Sequence, residues 1–317
     1  MSGGKGGSPR RTSTIEMLRA FGGVGLCSLL LVSGPGCGSS QHPTETRPPK
    51  HIPPDCDSIS TWNGHDAALS FTSDDGESTN RLWADVCERR KVGFTMFIVP
   101  TWLGRSGHLS VANLRNLYRR GFEIGGHGLN HVSLVTADDA TLVRELVLCR
   151  DVLRHLLNDD DQVARVFAYP YHEHDQRVMD AAAQYYLAAR DGGISSAGWP
   201  RFSRGVASWD SVSVYEVPIE VTIASLVEHN KLTEEETRAR VRRCLPGWEE
   251  KHLSAVLMAH KSADCDPQHL DWILDELQTD GGIWIAGFGE VAAYYRASVD
   301  CRQGPDDSAT PESPNPR

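Results

Sequence analysis

Three groups of polar residues in the sequence have types and spacings that could perform metal chemistry. The first group is Asp74 and Asp75, the second is His127 and His131, and the third is His260. Each group follows an apolar segment with the composition of a buried strand. Two imidazoles four residues apart on a helical turn face the same side, where they can hold one divalent cation. The spacing therefore predicts a metal site beside the ends of strands.

A carboxylate would complete this site and leave positions open for water and substrate. Asp75 is the natural third ligand. Adjacent carboxylates in a tight turn cannot both point at one ion, so Asp74 remains free to act as a base on water. Each motif alone is common, because DDG is an ordinary turn and a chain with 13 histidines can contain an HxxxH by chance. The order of the motifs after strands makes the combination specific.

Apolar strands and helical segments alternate along the middle of the chain. The strands are predicted over 67–72, 93–99, 122–125, 164–169, 213–221, 255–259 and 282–286. The helical segment 110–120 has a serine cap at Ser110 and Gly121 after its end. About seven βα units indicate an α/β fold with a parallel sheet, and they favour a barrel over an open doubly wound sheet. The polar residues that follow strands are then expected where barrel active sites collect.

The composition of the 317-residue chain is that of a soluble globular protein, with 40% hydrophobic and 23% charged residues. Disorder of the whole chain is excluded. The formal net charge is −10, and the sequence contains no long cluster of lysine and arginine. Because nucleic-acid binding needs cations that displace phosphate counterions, nucleic acid is not expected as a partner.

Both ends of the chain differ in composition from its middle. Residues 1–37 have a basic start, an apolar run of about eleven residues, too short to span a membrane, and a small-residue exit, which is the layout of an export signal. Cys37 is a candidate for lipidation, so we predict either a lipoprotein of the cell envelope, held to the membrane through Cys37, or a secreted protein. Residues 38–60 are a Pro-rich linker, 61–302 form one domain, and 303–317 are predicted to be disordered.

Six cysteines follow Cys37: Cys56, Cys87, Cys149, Cys244, Cys265 and Cys301. An even number in an oxidising compartment allows disulfides. The sequence does not select among the possible pairings.

Around these motifs, about residues 64–298, the sequence resembles the polysaccharide deacetylase family, which is carbohydrate esterase family four or the NodB homology domain. The segment from Thr72 to Gly76, TSDDG, resembles its first motif, and HGLNH at 127–131 its second. The resemblance implies a distorted (β/α)7 barrel in a single catalytic domain. It also implies Asp74 as general base and three metal ligands, namely Asp75, His127 and His131. Gly128 stands where the family has a hydroxyl residue that braces the loop.

The third motif of the family is matched by AYPY at 168–171. The resemblance implies that the backbone N–H of Tyr171 binds the oxyanion of the reaction. Ala168 occupies the position of the arginine that orients the base, and Arg165 and Arg204 are candidates to replace that arginine. His172 follows directly and is a candidate for contact with substrate.

The last two motifs are matched to different degrees. Trp209 and Asp210 are the nearest counterpart of the fourth motif, an Asp/Trp pair. The segment LMAH that ends at His260 resembles the fifth motif, which implies that His260 is the general acid for the leaving amine.

The function implied by this resemblance is metal-dependent hydrolysis of N-acetyl groups on an amino-sugar polysaccharide, with release of acetate. Such an enzyme is a hydrolase of carbon–nitrogen bonds other than peptide bonds. The implied cofactor is Zn²⁺, with Co²⁺ and Ni²⁺ as alternatives. Candidate substrates are chitin-like oligomers, peptidoglycan and poly-N-acetylglucosamine.

Three other functions stay open at this point. One is an O-deacetylase or another small amide hydrolase on the same metal site. The second is a carbohydrate-binding relative with impaired catalysis, which the missing arginine suggests. The third is a structural surface lipoprotein with a coincidental HxxxH.

Overall fold

The computed structural model describes residues 61–159, 162–191, 221–250 and 254–303. All of them lie in one compact unit, Arg47–Arg317. The predicted export signal and linker, and all but the first residue of the predicted disordered tail, lie outside the described residues and stay predictions. The same holds for Arg204, Trp209 and Asp210.

One parallel sheet of eight strands forms the centre of the described fold. The strands are β1 (Ala67–Ser73), β2 (Thr95–Ile98), β3 (Glu123–Gly126), β4 (Val166–Ala168), β5 (Ala188–Arg190), β6 (Val221–Thr222), β7 (Ser254–Ala259) and β8 (Ile283–Ile285). Their order is β5-β4-β3-β2-β1-β7-β6, and β8 pairs with the first half of β1. The sheet curls into a half-barrel with helices packed on it, so the prediction of an α/β, barrel-type fold is confirmed.

Eight α-helices connect or follow these strands in the described residues. They are α1 (Asn80–Arg90), α2 (Val111–Arg119), α3 (Asp139–Leu157), α4 (Gln176–Ala183), α5 (Ile223–Leu226), α6 (Glu234–Glu250), α7 (Pro267–Asp280) and α8 (Phe288–Gln303). The predicted cap of α2 is confirmed, because Ser110 Oγ accepts a hydrogen bond from Asn113 N–H at 3.1 Å. None of these helices has the combination of length and apolar character needed to cross a membrane.

Both faces of the sheet are covered by helices. All seven residues of β1 are buried. Leu69 and Phe71 belong to the larger core, which includes side chains of α1, α2, α3 and α7. Ala68 and Val256 face the other way and pack with residues of α8. A parallel strand covered on both faces tends to have a continuous apolar sequence, as in β7, whereas β1 combines apolar residues with buried Ser70, Thr72 and Ser73.

Strand β5 is not predicted by the sequence patterns. Its three residues, Ala188, Ala189 and Arg190, include no β-branched or aromatic side chain, so they lack the usual composition of a strand. They nevertheless pair in parallel with β4, from Val166 opposite Ala188 onwards. The strand matters for the site because it carries Arg190.

Among the described residues, Cys87, Cys149 and Cys265 are free thiols. Burial raises the pKa of Cys149 to about 12 and that of Cys87 further. Both thiols are therefore protonated at neutral pH, and their reactivity is low.

Candidate active site

Asp75, His127 and His131 lie together beyond the carboxyl ends of β1 and β3. One ligand atom from each residue lies within 4.8 Å of the others. Asp75 Oδ1 is 3.6 Å from His127 Nε2 and 3.5 Å from His131 Nε2. Ligand atoms about 2.1 Å from a tetrahedral ion are about 3.4 Å from one another, so the spacing suits a divalent cation such as Zn²⁺.

The chemistry of the donor atoms also suits a cation. Asp75 Oδ1 is buried and forms no hydrogen bond with any described residue. A carboxylate oxygen in that state is costly unless an ion or a donor reaches it. His127 Nδ1 lies 2.8 Å from the carbonyl oxygen of Ala168, which can only accept, so Nε2 retains the lone pair. Burial lowers the pKa of His127 to about 4, which keeps this imidazole neutral and able to bind metal at pH 7.

The segment between the two histidines is an irregular loop, which we call the histidine loop (residues 127–131). The prediction that the histidines share a helical turn is wrong, because Gly128 has φ 73° and His131 has φ 58°, both in the left-handed region. The backbone N–H and the hydroxyl of Thr101 donate to the carbonyl oxygen of Leu129 at 3.3 and 2.9 Å. An irregular loop, rather than a helical turn, therefore places the imidazoles of His127 and His131 side by side.

Asp74 forms a buried ion pair with Arg190 at the end of β5. The exposed fraction is 1% for the Asp74 side chain and 0% for Arg190, and Arg190 Nη2 lies 2.5 Å from both carboxylate oxygens. The guanidinium also lies over the ring of Phe97, 5.2 Å from its centroid. Burial would raise the pKa of Asp74, but Arg190 and the imidazoles of His127 and His260 outweigh it and hold the pKa at about 2. Asp74 is therefore ionised at every physiological pH.

His260 follows β7 and is held by Asp264 in the next turn. Asp264 Oδ2 lies 3.5 Å from His260 Nδ1 and accepts hydrogen bonds from the backbone N–H groups of His260 and Lys261 at 2.9 and 3.2 Å. Asp264 raises the pKa of His260 against the effect of burial, and Asp74 and Asp75 raise it further. A histidine with a raised pKa is suited to donate a proton near neutral pH.

Tyr171 lies beside His131 in a short 3₁₀ turn, Pro170–His172. Its hydroxyl donates to the carbonyl oxygen of His131 at 3.1 Å, and the two rings are 4.5 Å apart. Its backbone N–H has no acceptor among the described residues, as is usual in the first turn of a helix. Tyr171 has φ 58° and His172 has φ 62°, and such strained residues cluster at functional sites.

His172 and His174 have different surroundings. The ring of His174 stacks on Tyr169 with 5.0 Å between centroids, and its Nδ1 lies 3.6 Å from Asp191. His172 Nδ1 is buried without a hydrogen bond to any described residue. Burial lowers the pKa of His172, and the nearby Arg190 lowers it further. His172 is thus a neutral group beside the Asp74 ion pair, and its role in substrate contact stays a prediction.

Residues 63–189 match the family model described as polysaccharide deacetylase. This segment belongs to the polysaccharide deacetylase family. The match includes Asp74, Asp75 and the histidine loop, and it ends one residue before Arg190. His260 lies beyond it. No curated protein matches the chain in sequence.

Solved structures of polysaccharide deacetylases share the fold. A proposed polysaccharide deacetylase from Mycobacterium smegmatis is 16% identical, with a TM-score of 0.54 over 74% of this chain and 92% of the other. A wild-type CE4 family pseudoenzyme from Bacillus anthracis is 15% identical, with a TM-score of 0.50 over 72% and 66% of the two chains. A mutant described as a CE4 family pseudoenzyme with restored enzymatic activity is also 15% identical, with a TM-score of 0.50 over 72% of this chain and 68% of the other. At these identities the likeness extends to the fold alone.

The structure corrects one of the residues predicted to orient the site, Arg165, and leaves three untested, namely Arg204, Trp209 and Asp210. The partner of Asp74 is Arg190, not Arg165; the backbone carbonyl of Arg165 accepts from Leu187 N–H, and Arg165 makes no ion pair with Asp74. Trp209 and Asp210 lie outside the described residues. The residue that pairs with His260 in the described structure is Asp264, only four positions later in the chain. Nothing in the sequence analysis singled out Arg190 or Asp264.

Replacing Asp264 by asparagine is expected to lower the pKa of His260. The substitution removes the largest contribution that raises this pKa, so that burial is opposed only by Asp74 and Asp75. The protonated fraction of His260 at pH 7 should therefore fall, which NMR titration of its ring protons measures. Asp85→Asn, on the exposed side of α1 and paired with Arg120, is the matched control. An unchanged titration of His260 in Asp264→Asn would show that Asp264 does not set its pKa.

Proposed function

We propose that this protein hydrolyses N-acetyl groups from an amino-sugar polysaccharide and releases acetate in a metal-dependent reaction. The observation that carries the proposal is the cluster of Asp75, His127 and His131, with an unpartnered buried carboxylate oxygen, next to an ionised Asp74. Membership of the polysaccharide deacetylase family supports the reaction class. Perturbed titratable groups gathered at one end of a barrel-type sheet are what such chemistry requires.

Asp75, His127 and His131 would hold the metal. A divalent ion in this position supplies a Lewis acid that polarises the acetamide carbonyl and makes water more acidic. Zn²⁺ suits two imidazoles and one carboxylate, and Co²⁺ and Ni²⁺ accept the same donors.

Asp74 is the proposed general base. Because the Arg190 ion pair keeps its carboxylate ionised, Asp74 can accept a proton from the attacking water at any working pH. The same ion pair fixes the direction of the carboxylate, since Arg190 is itself completely buried and cannot change position freely. Arg190 therefore acts as a positioning residue.

His260 and Tyr171 serve the later part of the proposed reaction. The N–H of Tyr171, which has no acceptor among the described residues, can donate to the oxyanion of the tetrahedral intermediate. His260, whose pKa is raised by Asp264, donates a proton to the departing nitrogen. Acetate and a free amine on the sugar result, so the atoms of one water are divided between the two products.

Tyr171, beside the proposed metal ligands, has an exposed fraction of 58%, and we propose that a bulky substrate approaches the site on this side. The ring of Trp102 lies 4.9 Å from His131 on the same loop cluster. An exposed ring (Tyr171) and a half-buried ring (Trp102) next to buried polar groups form the mixed surface that ligand sites generally present. Chitin-like oligomers, peptidoglycan and poly-N-acetylglucosamine all offer acetamido groups for this site.

The proposal is tested with the full-length protein loaded with Zn²⁺. Acetate is measured after incubation with chitin oligomers, peptidoglycan, poly-N-acetylglucosamine and an O-acetylated xylan. Release from one of the first three, dependent on zinc, is the expected result. Release from the xylan alone would instead identify an O-deacetylase. Zinc binding without acetate from any substrate would indicate a carbohydrate-binding relative with impaired catalysis.

Asp74→Asn is expected to keep zinc and lose turnover. Asparagine is similar in shape and can still accept from Arg190, but it cannot take a proton, so kcat should fall about 10²- to 10⁴-fold. The dissociation constant for zinc should stay within a few-fold of the wild-type value. Acetate release and zinc titration on the same preparation measure both. Full turnover in this variant would exclude Asp74 as the base.

A further inference from the structure

The histidine loop has no regular hydrogen-bond ladder of its own, although it carries two of the three proposed metal ligands. Its backbone positions are set by contacts with other elements. Thr101 holds the carbonyl of Leu129, and Tyr171 holds that of His131. Both contacts are neutral and involve residues that are half-buried or exposed.

The third contact comes from a charged residue in the core. Glu145 lies in the second turn of α3 and is 1% exposed. Its Oε2 accepts from the backbone N–H of Asn130 at 2.8 Å, and its Oε1 accepts from Asn130 Nδ2 at 2.7 Å. Both carboxylate oxygens are thus directed at the residue that precedes His131.

Glu145 forms no ion pair with any described residue, so this buried carboxylate is compensated mainly by the two N–H groups of Asn130. A buried carboxylate is costly, and an apolar residue would pack more favourably at this position of α3. Gly128 lies against this carboxylate, since a Cβ there would be in ordinary van der Waals contact with Glu145 Oε2 at 3.4 Å and in a tighter contact with Pro170 Cγ at 3.2 Å. Glu145 therefore both packs against the histidine loop and accepts two hydrogen bonds from it.

We propose that Glu145 is a positioning residue, which fixes His131 for metal binding through its two hydrogen bonds to Asn130. The inference rests on the metal site of the proposed function. Hydrogen bonds to a carboxylate are stronger than those between neutral groups, so Glu145 is the firmest of the three anchors of the loop. Its effect is on the placement of a ligand, because its own oxygens are occupied by Asn130.

The test is the affinity of the full-length protein for Zn²⁺, measured by competition with a chromophoric chelator. Glu145→Gln keeps the shape of the side chain but directs an NH₂ group at one of the two N–H donors of Asn130, so at least one hydrogen bond is lost. Loss of a residue that orients a metal ligand typically weakens metal binding about 10- to 100-fold. We expect a rise of this size in the dissociation constant, with only a small change in the unfolding temperature of the metal-free protein.

A second variant shows whether Glu145 acts through Asn130. Asn130→Ala removes one of the two hydrogen bonds, so Glu145→Gln should weaken zinc binding less in that background than in the wild type. Glu235→Gln is the matched control, because Glu235 is an exposed glutamate in the first turn of α6. Its zinc affinity should equal that of the wild type.

Two results would contradict the proposed role of Glu145 and leave the proposed metal site intact. One is a wild-type dissociation constant in Glu145→Gln, with or without a lower unfolding temperature, since that outcome assigns Glu145 to stability only. The other is an undiminished effect of Glu145→Gln in the Asn130→Ala background. If the wild-type protein itself binds no zinc, the proposed metal site fails, and the role of Glu145 fails with it.

Discussion

Arg190→Met is expected to lower the free energy of unfolding by about 3–5 kcal/mol at pH 7. The substitution leaves the carboxylate of Asp74 buried without its ionic partner, and that partner is itself inaccessible to water. Activity should fall as well, because Asp74 would lose its fixed direction and, with its pKa raised by burial, its permanent charge. Denaturant unfolding and acetate release measure the two effects.

The pH dependence of stability distinguishes a buried charge from lost packing. In the wild type the pKa of Asp74 in the folded state, about 2, is below its ordinary value of 3.8. The ion pair therefore stabilises the protein above the ordinary pKa, and this contribution is lost as pH falls towards 2. In Arg190→Met the folded pKa should instead be raised, so protonation at low pH should relieve the destabilisation. The difference between the two proteins should narrow as pH falls from 7 to 3.

Two further variants complete this comparison. Asp74→Asn combined with Arg190→Met should be more stable than Arg190→Met alone, because no buried charge remains. Arg89→Met is the control at an exposed pair, since 62% of the Arg89 side chain is exposed and it lies 3.6 Å from Asp271. Its effect should be within about 1 kcal/mol. Equal losses of stability at Arg89 and Arg190 would contradict the importance of the buried pair.

Asp75→Ala is expected to abolish both stoichiometric zinc binding and acetate release. The variant removes the proposed carboxylate ligand and leaves two imidazoles, which hold a divalent ion far more weakly. It should change the stability of the metal-free protein only slightly, because removing a buried oxygen without a hydrogen bond offsets the cost of placing alanine at φ 69°, in the left-handed region. Metal analysis after dialysis and thermal unfolding of the metal-free protein measure these effects.

A matched control for Asp75→Ala is Asp85→Ala, an exposed carboxylate paired with Arg120 on α1. It should retain zinc and turnover. Stoichiometric zinc in Asp75→Ala would exclude this residue as a ligand, and the metal site would then have to be sought elsewhere.

The parts of the fold that were predictable from sequence are those with strong periodicity or caps. Strand β7 is predicted because both its faces are buried, which gives a continuous apolar run, and β1 is predicted from the apolar and small residues that lead into the polar turn after Ser73. Helix α2 is predicted because Ser110 caps it and an apolar stripe runs along it. Strand β5 was missed because two alanines and an arginine carry no strand signal, and its place in the sheet follows from pairing with β4.

The sequence predicts those site residues that form short contiguous motifs. Asp74, Asp75 and the histidine loop form short contiguous patterns, and the structure brings the proposed metal ligands together. Arg190 lies 116 positions from Asp74 in the sequence, and the two residues form their ion pair only because β5 joins the sheet. Asp264 is near His260 in sequence, but an acidic residue four positions after a histidine in a loop has no distinguishing feature. Supporting residues of this kind are specified by tertiary structure.

The ion pair between Asp74 and Arg190 also requires the sheet to be curved. Asp74 follows β1 and Arg190 ends β5, so four strand-to-strand steps separate them along the sheet. In a flat sheet four steps would span about 19 Å, more than an aspartate and an arginine side chain can bridge together. The contact therefore exists only because the sheet is curved. It connects β1 directly to β5 across the concave side of the sheet. An opening of the half-barrel between β4 and β5 would therefore separate Arg190 from the proposed base and leave the three proposed metal ligands, which follow β1 and β3, together.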